Sequence, residues 1–428
     1  MIWKTLLGGI VVVSAALGAA TESSTTPTYY KDVLPVLQSK CQGCHRPGEI
    51  GPMSLLTYQS TRPWAAAIKE AVLAGKMPPW PADPHVGHFA NVNSLTGAQR
   101  ATLVSWADHG APEGNPADAP PPMHWVEGWG AGTPDLVVQM PKPYHVPKAG
   151  VVEYTYVIIP TNFQHDMWVR AAEIVPTNRA VVHHIIAFLR TPGSKWFAGQ
   201  PTGEFFVPSG GRGEDGASEF LVGYAPGLPP TVLPDGAAKL IPAGSDIVLQ
   251  LHYTPNGKAM DDQSKVGLYF SDKPQRREMT LSAANHDFAI PAGNPDYQVD
   301  SSFTLHHEAT LVGMMPHMHL RGKDFKYTVR YPDGHAEELL SVPRWDFHWQ
   351  MYYKLADPMQ LPAGTRIECV AHYDNSPNNT DNPDPSKVVH WGDQTFDEMM
   401  IGFFDVNFPV DMNPMELFRP PQPARASD

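Results

Sequence analysis

Three cysteines in 428 residues exclude a disulfide framework as the source of stability. Charge is scarce as well: Asp, Glu, Lys and Arg make up 18% of the chain, and the balance is acidic, a net −13 with a pI near 5.8. No basic surface is concentrated enough to grip phosphate, which excludes nucleic acid and anionic membranes as partners. Beyond the first twenty residues there is no long uncharged apolar run, so no integral membrane span is expected once a leader is removed. A fixed repeat period is also missing, which excludes a propeller or solenoid.

Proline (45) and glycine (35) are abundant instead, and Val/Ile/Thr/Tyr/Phe runs lie between them: VVEYTYVIIP, AVVHHIIAFLR, DIVLQLHYT, KVGLYF, FKYTVRY, RIECVAHY and MMIGFFDV. Short strands bounded by turns are the expected reading, with helix confined to the beginning. At the usual scale of roughly 100–200 residues per domain, the length predicts two to four domains. Lys4, the apolar stretch from Leu6 to Leu17 and the small residues Gly18-Ala19-Ala20 predict a secretory signal over 1–20. The stretch is short for a bilayer span, a retained anchor being the alternative. A periplasmic or secreted protein follows from this reading.

Two of the cysteines stand in Cys41-Gln42-Gly43-Cys44-His45. C-x-x-C-H is the attachment signature of a c-type haem: two thiols add across the vinyl groups, and the adjoining histidine ligates iron. A redox dithiol or half a zinc site is the alternative, but neither two more Cys nor a spaced His pair follows nearby, as zinc would require. Val33, Val36 and Leu37 share a helical face before the motif. Thr96 and Gln99 have capping-box spacing ahead of Leu103 and Trp106, an apolar pair suited to cover a macrocycle. Between these segments, Gly75-Lys76-Met77-Pro78-Pro79-Trp80 resembles the Met loop of class I cytochromes c, which makes Met77 the expected sixth iron ligand and Met53 its competitor. The haem domain is expected over 28–112, followed by a Pro-rich linker over 113–133.

Histidines punctuate the strand-rich remainder. His183-His184 sits inside an apolar strand, where neighbours point to opposite faces; both can serve one metal only if the strand bends or one ring uses its near nitrogen. Otherwise one ring is buried and the other solvated. His252 lies in a second strand. His317-Met318-His319 has the period-two spacing that sends both rings to one face, a ready chelate. Asp397-Glu398-Met399 opens another strand, and the acidic pair either orients a ligand or caps that strand. Cys369 has no partner left and reads as a small buried strand residue. No metal is assigned to His165, His306, His307, His372 or His390.

Taken in order, these motifs resemble the copper type II, ascorbate-dependent monooxygenases, the family of dopamine β-monooxygenase and peptidylglycine α-hydroxylating monooxygenase, in a bacterial form with an N-terminal cytochrome c domain. The resemblance covers about 134–415. Its adjacent His pair and later His-Tyr match His183, His184 and His252-Tyr253. Its His-x-His, following Leu and basic residue, and its Asp-Glu-Met match His317, His319, Leu320, Lys323 and Met399. The resemblance implies two copper ions. One, at His183/His184/His252, would store an electron; the other, at His317/His319/Met399, would bind dioxygen and attack a substrate C–H bond. It also implies a multidomain fold: a small all-α cytochrome c domain, then two antiparallel β-sandwich, jelly-roll-like domains over 134–275 and 276–418, with a disordered tail over 419–428. Three imidazoles suit copper in both oxidation states, and a thioether favours Cu(I).

The expected partners are a small organic substrate, dioxygen, and a reductant: ascorbate, a periplasmic electron donor, or the haem itself. Amidating members hold a peptide carboxylate with an Arg two residues before the His-x-His and an Asn two residues after the Met. Met315 and Ile401 occupy those places, so a less anionic, more apolar substrate is expected. A non-catalytic copper and haem electron carrier or copper-handling protein is the alternative, and a surface-binding sandwich with structural histidines is a further one.

Overall fold

The structure is a computed structural model, and it describes residues 26–126, 128–208 and 219–420. The leader expected over 1–20, and the tail from 421 onward, lie outside these residues.

Sheet dominates, and this corrects the expected fold class of an all-α cytochrome c domain followed by two antiparallel jelly-roll-like sandwiches. Among the described residues, α-helix is confined to Leu34–Lys40, Tyr58–Thr61, Ala65–Leu73 and Gly97–Asp108, none longer than 12 residues. Pro47, Gly48 and Pro52 break the chain after the first of these, and Gly75, Pro78, Pro79, Pro81 and Pro84 after the third, leaving turns and extended segments. Thr96 and Gln99 do form the reciprocal capping box, and Leu103 and Trp106 are fully buried with Tyr29 and Leu37. The stretch after Met77, however, leaves this small core. Trp80 meets Tyr353 edge to face at 5.1 Å, Phe89 bridges to Leu355, and Asp83 N–H donates to the Ser341 carbonyl. The end of the expected haem loop, from Trp80 on, thus packs on a β core.

The longest sheet runs in spatial order Leu136–Gln139, Lys265–Phe270, Met167–Val175, Ala237–Ile241, Arg276–Asn285, Met400–Pro409, Ala309–His317, Tyr353–Leu361. It is antiparallel except where Arg276 and Arg277 pair in parallel with Ala237 and Ala238. That two-residue junction joins into one sheet what the sequence suggests as two separate sandwiches. A five-stranded sheet, Phe205–Phe206, Thr155–Pro160, Asp246–Tyr253, Val182–Arg190, Glu219–Tyr224, packs on its first half. A four-stranded sheet, Tyr297–Thr304, Arg366–Tyr373, Gly322–Arg330, Ala336–Val342, packs on its second half.

Period-two alternation decides what each strand shows to the space between the halves. Along Val182–Arg190, Ile185, Ala187 and Leu189 enter the first core, while His184, Ile186 and Phe188 face a cavity. Along Met400–Pro409, Met400, Phe404, Val406 and Phe408 enter the second core, while Ile401, Phe403 and Asp405 face the same cavity from the other side. Among the described residues, no helix is long and apolar enough to cross a membrane.

Candidate metal centres

A β-bulge solves the geometric difficulty of the adjacent histidines. In the pairing of Asp246–Tyr253 with Val182–Arg190, His252 lies opposite His184, and Tyr253 lies opposite Val182. His183 is the extra residue of the bulged strand, and the local twist brings its ring to the side of its neighbour. One ligating nitrogen from each of His183, His184 and His252 lies within 4.8 Å of the others. The Nδ1 atoms of His183 and His184 are 3.0 Å apart, and those of His184 and His252 3.4 Å. Burial holds all three rings below the ordinary imidazole range: His183 at about 4, with His348 contributing; His252 at about 3; and His184 well below its usual value. The rings are therefore neutral at pH 7, the form that donates a lone pair to a metal. Three neutral imidazoles converging from one bulge and its partner strand fit a copper ion in either oxidation state.

The second group forms where Ala309–His317 ends. His317 is still paired with Ile401, His319 lies two residues beyond the strand, and the two rings stand 5.2 Å apart at 89°. Nδ1 of His317 is 2.6 Å from Oε1 of Gln350. An amide oxygen can only accept, so Nδ1 carries the proton and Nε2 the lone pair. His319 is fixed through its main chain: its N–H donates to Glu398 Oε2 at 2.8 Å, and its carbonyl accepts from Trp345 Nε1 at 3.2 Å. Glu398, fully buried, also accepts from the Arg321 N–H at 2.6 Å. Of the acidic pair before Met399, Glu398 thus orients the histidine turn. Arg321, itself buried, is held by Asn375 of the loop that follows the Arg366–Tyr373 strand. Met399 is buried and lines the cavity together with His317 and His319. Two imidazoles and a thioether form a donor set that fits Cu(I).

One segment, 343–352, links the groups, and nothing in the sequence pattern singles it out. Besides Trp345 and Gln350 it places the buried Phe347 ring between them, its centroid 6.4 Å from His183, 6.1 Å from His252 and 6.2 Å from His319. His348 follows, 5.7 Å from His183. His183 and His184 of the first group and His317, His319 and Met399 of the second line one cavity of about 240 Å3 between the halves of the molecule. Of the histidines given no metal, His372 pairs with Asp324 at 2.7 Å, and the His307 ring lies 3.2 Å from the Glu308 carbonyl. Cys369 is buried in its strand, and burial raises its thiol pKa.

Cys41 and Cys44 are free thiols on the turn that ends helix Leu34–Lys40, and the His45 N–H donates to the Cys41 carbonyl. Burial raises both thiols, Cys41 to about 12, and lowers His45. This donor set, two free thiols and a half-buried imidazole hydrogen-bonded to the Met53 backbone, fits covalent haem. Met53 packs on the same core as Cys41, whereas Met77 follows the helix that ends near Arg344, whose guanidinium donates to the Ala74 carbonyl. The motif docks on the half carrying His183: Arg179 pairs with Glu49 at 3.2 Å, and a Cβ on Gly227 would sit 3.2 Å from Cys44 Sγ.

No family model and no curated protein matches the chain. Among solved structures it is similar to one of infectious bursal disease virus, Gx strain, at 9% identity over 66% of this chain and 73% of that chain, with a TM-score of 0.20. A variant of Bacillus subtilis oxalate decarboxylase matches at 9% identity over 78% and 90% of the respective chains, with a TM-score of 0.14. Overlaps this low bear on neither fold nor function.

Proposed function

We propose that the chain is an exported copper-dependent monooxygenase that hydroxylates a C–H bond of an apolar organic molecule. The observation that carries this reading is that His183 and His184 of a three-imidazole group line the same cavity as His317, His319 and Met399. His183, His184 and His252 would hold one copper, and His317, His319 and Met399 the other. Copper bound there supplies one-electron redox chemistry and affinity for dioxygen. In the overall reaction one oxygen atom enters the C–H bond and the other leaves as water, with two electrons and two protons supplied from outside.

The chain's own contribution is positional. Gln350 sets the tautomer of His317, Glu398 and Trp345 fix His319, and Phe347 keeps the space between the groups apolar. Ile401, Phe403 and Met315 give the cavity a wall that favours apolar substrate over anionic peptide. Cys41, Cys44 and His45 would hold a haem c against the half that carries the three-histidine group, which suits a haem or a periplasmic donor as the electron source. Ascorbate serves as the laboratory reductant.

Copper-loaded protein with ascorbate and labelled dioxygen should convert small apolar alcohols to products carrying one labelled oxygen. Met399→Ile should lose that product while still binding copper at the three-histidine group. Oxidation of ascorbate without labelled product across the panel would point instead to an electron carrier.

A further inference from the structure

A fourth imidazole stands beside the group of three. His348 is exposed, lines the same cavity as His183 and His184, and has its ring centroid 5.7 Å from that of His183, the planes crossing at 73°. Two imidazoles bound to one copper through nitrogens at about 2.0 Å hold their centroids about 4.5 Å apart at right angles and about 6.3 Å apart when opposite. His183, His184 and His252 fall in that range with one another, at 5.3, 4.8 and 4.8 Å, and so does His348 with His183. His348 is not among the three residues whose ligating nitrogens lie within 4.8 Å of each other. Joining them takes a rotation of its side chain, which an exposed ring makes at little cost.

The main chain beneath this ring is fixed. The Trp345 N–H donates to the Lys323 carbonyl at 2.8 Å, the His348 N–H to Asp346 Oδ1 at 2.9 Å, and the Trp349 N–H to the Asp346 carbonyl at 2.9 Å. The preceding Phe347 is buried against His183 and His252, which sets the turn over that pair. A held turn thus presents a movable imidazole to the three-histidine group.

We infer that His348 is a fourth donor to the metal of this group, bound to the oxidised copper and standing off from the reduced one. Cu(II) favours a tetragonal set of nitrogen and oxygen donors, and three imidazoles leave one of its positions open. Three suffice for Cu(I). A ligand that favours the oxidised ion lowers its potential, which suits a centre whose task is to pass its electron on. That the metal is copper rests on the monooxygenase proposal.

The test uses the full chain carrying His317→Ala/His319→Ala, so that one centre remains, with and without His348→Ala. Cu(II) affinity, read by competition with a chelator, should fall about tenfold or more on loss of His348, no less than the loss of a residue that only orients a ligand. Cu(I) affinity should not change, so the potential should rise by about 59 mV for each tenfold loss. Electron paramagnetic resonance of the Cu(II) form should show one coupled nitrogen fewer, and added imidazole should restore the parent spectrum. The same comparison in the otherwise unsubstituted chain serves if the double variant does not fold. Equal Cu(II) affinity with and without His348, an equal loss for Cu(I) and Cu(II), or an unchanged nitrogen count would overturn the fourth donor. Copper missing from the parent protein would remove the three-histidine centre and the monooxygenase with it, whereas copper bound alike in both proteins removes only this role of His348.

Discussion

Gln350 illustrates how much of a metal site is made by residues that never touch the metal. Its amide oxygen, 2.6 Å from His317 Nδ1, decides which nitrogen of that ring faces the cavity. Gln350→Ala frees the ring to rotate and change tautomer; copper affinity at that centre should fall about ten- to hundredfold, read by competition with a copper chelator. Glu278 makes a second prediction, about pH. Its carboxyl is raised from 4.5 to about 8 by burial first and by Asp405 second, with Lys239, Lys354 and a hydrogen bond from Asn407 opposing, and Tyr352 nearby. A carboxyl whose folded value lies above its unfolded one contributes stability that is fully present below the unfolded value and is lost as pH rises through the folded one. The urea midpoint should therefore fall between about pH 5 and about pH 8.5, and Glu278→Gln should flatten that slope; an equal slope in both proteins would remove Glu278 as the cause. In sequence neither residue declares itself. Gln350 lies in an aperiodic stretch, and Glu278 is one charge on a strand whose cavity face depends on its partners.

At the scale of elements, alternation carries both cores and the cavity, and this much can be read directly from runs such as Asp246–Tyr253, where Ile247, Leu249 and Leu251 point inward and His252 does not. The bulge at His183 cannot be read that way. It is a property of two strands in register, and the sequence of one of them leaves open whether adjacent histidines diverge or converge. Gly402 shows the same dependence on a neighbour. A Cβ there would collide with Cys369 Sγ and press on the Tyr327 ring, because the Met400–Pro409 strand crosses closely over the four-stranded sheet. Gly402→Ala should cost about 1–3 kcal/mol by chemical denaturation, and pairing it with Cys369→Ala should recover part of that loss. No recovery would mean that the glycine is needed for its backbone rather than for its size.

The whole molecule departs furthest from what the sequence suggests. Short helices cut by proline, and a stretch from Trp80 to Phe89 that packs on the β core, replace an independent cytochrome domain. A two-residue parallel junction makes one long sheet out of two expected sandwiches, and no local pattern announces such a junction. Yet it is this continuity that brings His183 and His184 on one half to the cavity shared with His317, His319 and Met399 on the other. The proposed function requires two separate copper centres. Elemental analysis of copper-supplied protein tests it most directly, alongside His183→Ala and a His317→Ala/His319→Ala double variant. Two separate centres require about two coppers per chain in the wild type and about one in each variant. Wild-type protein without stoichiometric copper, or variants that lose none, would contradict it.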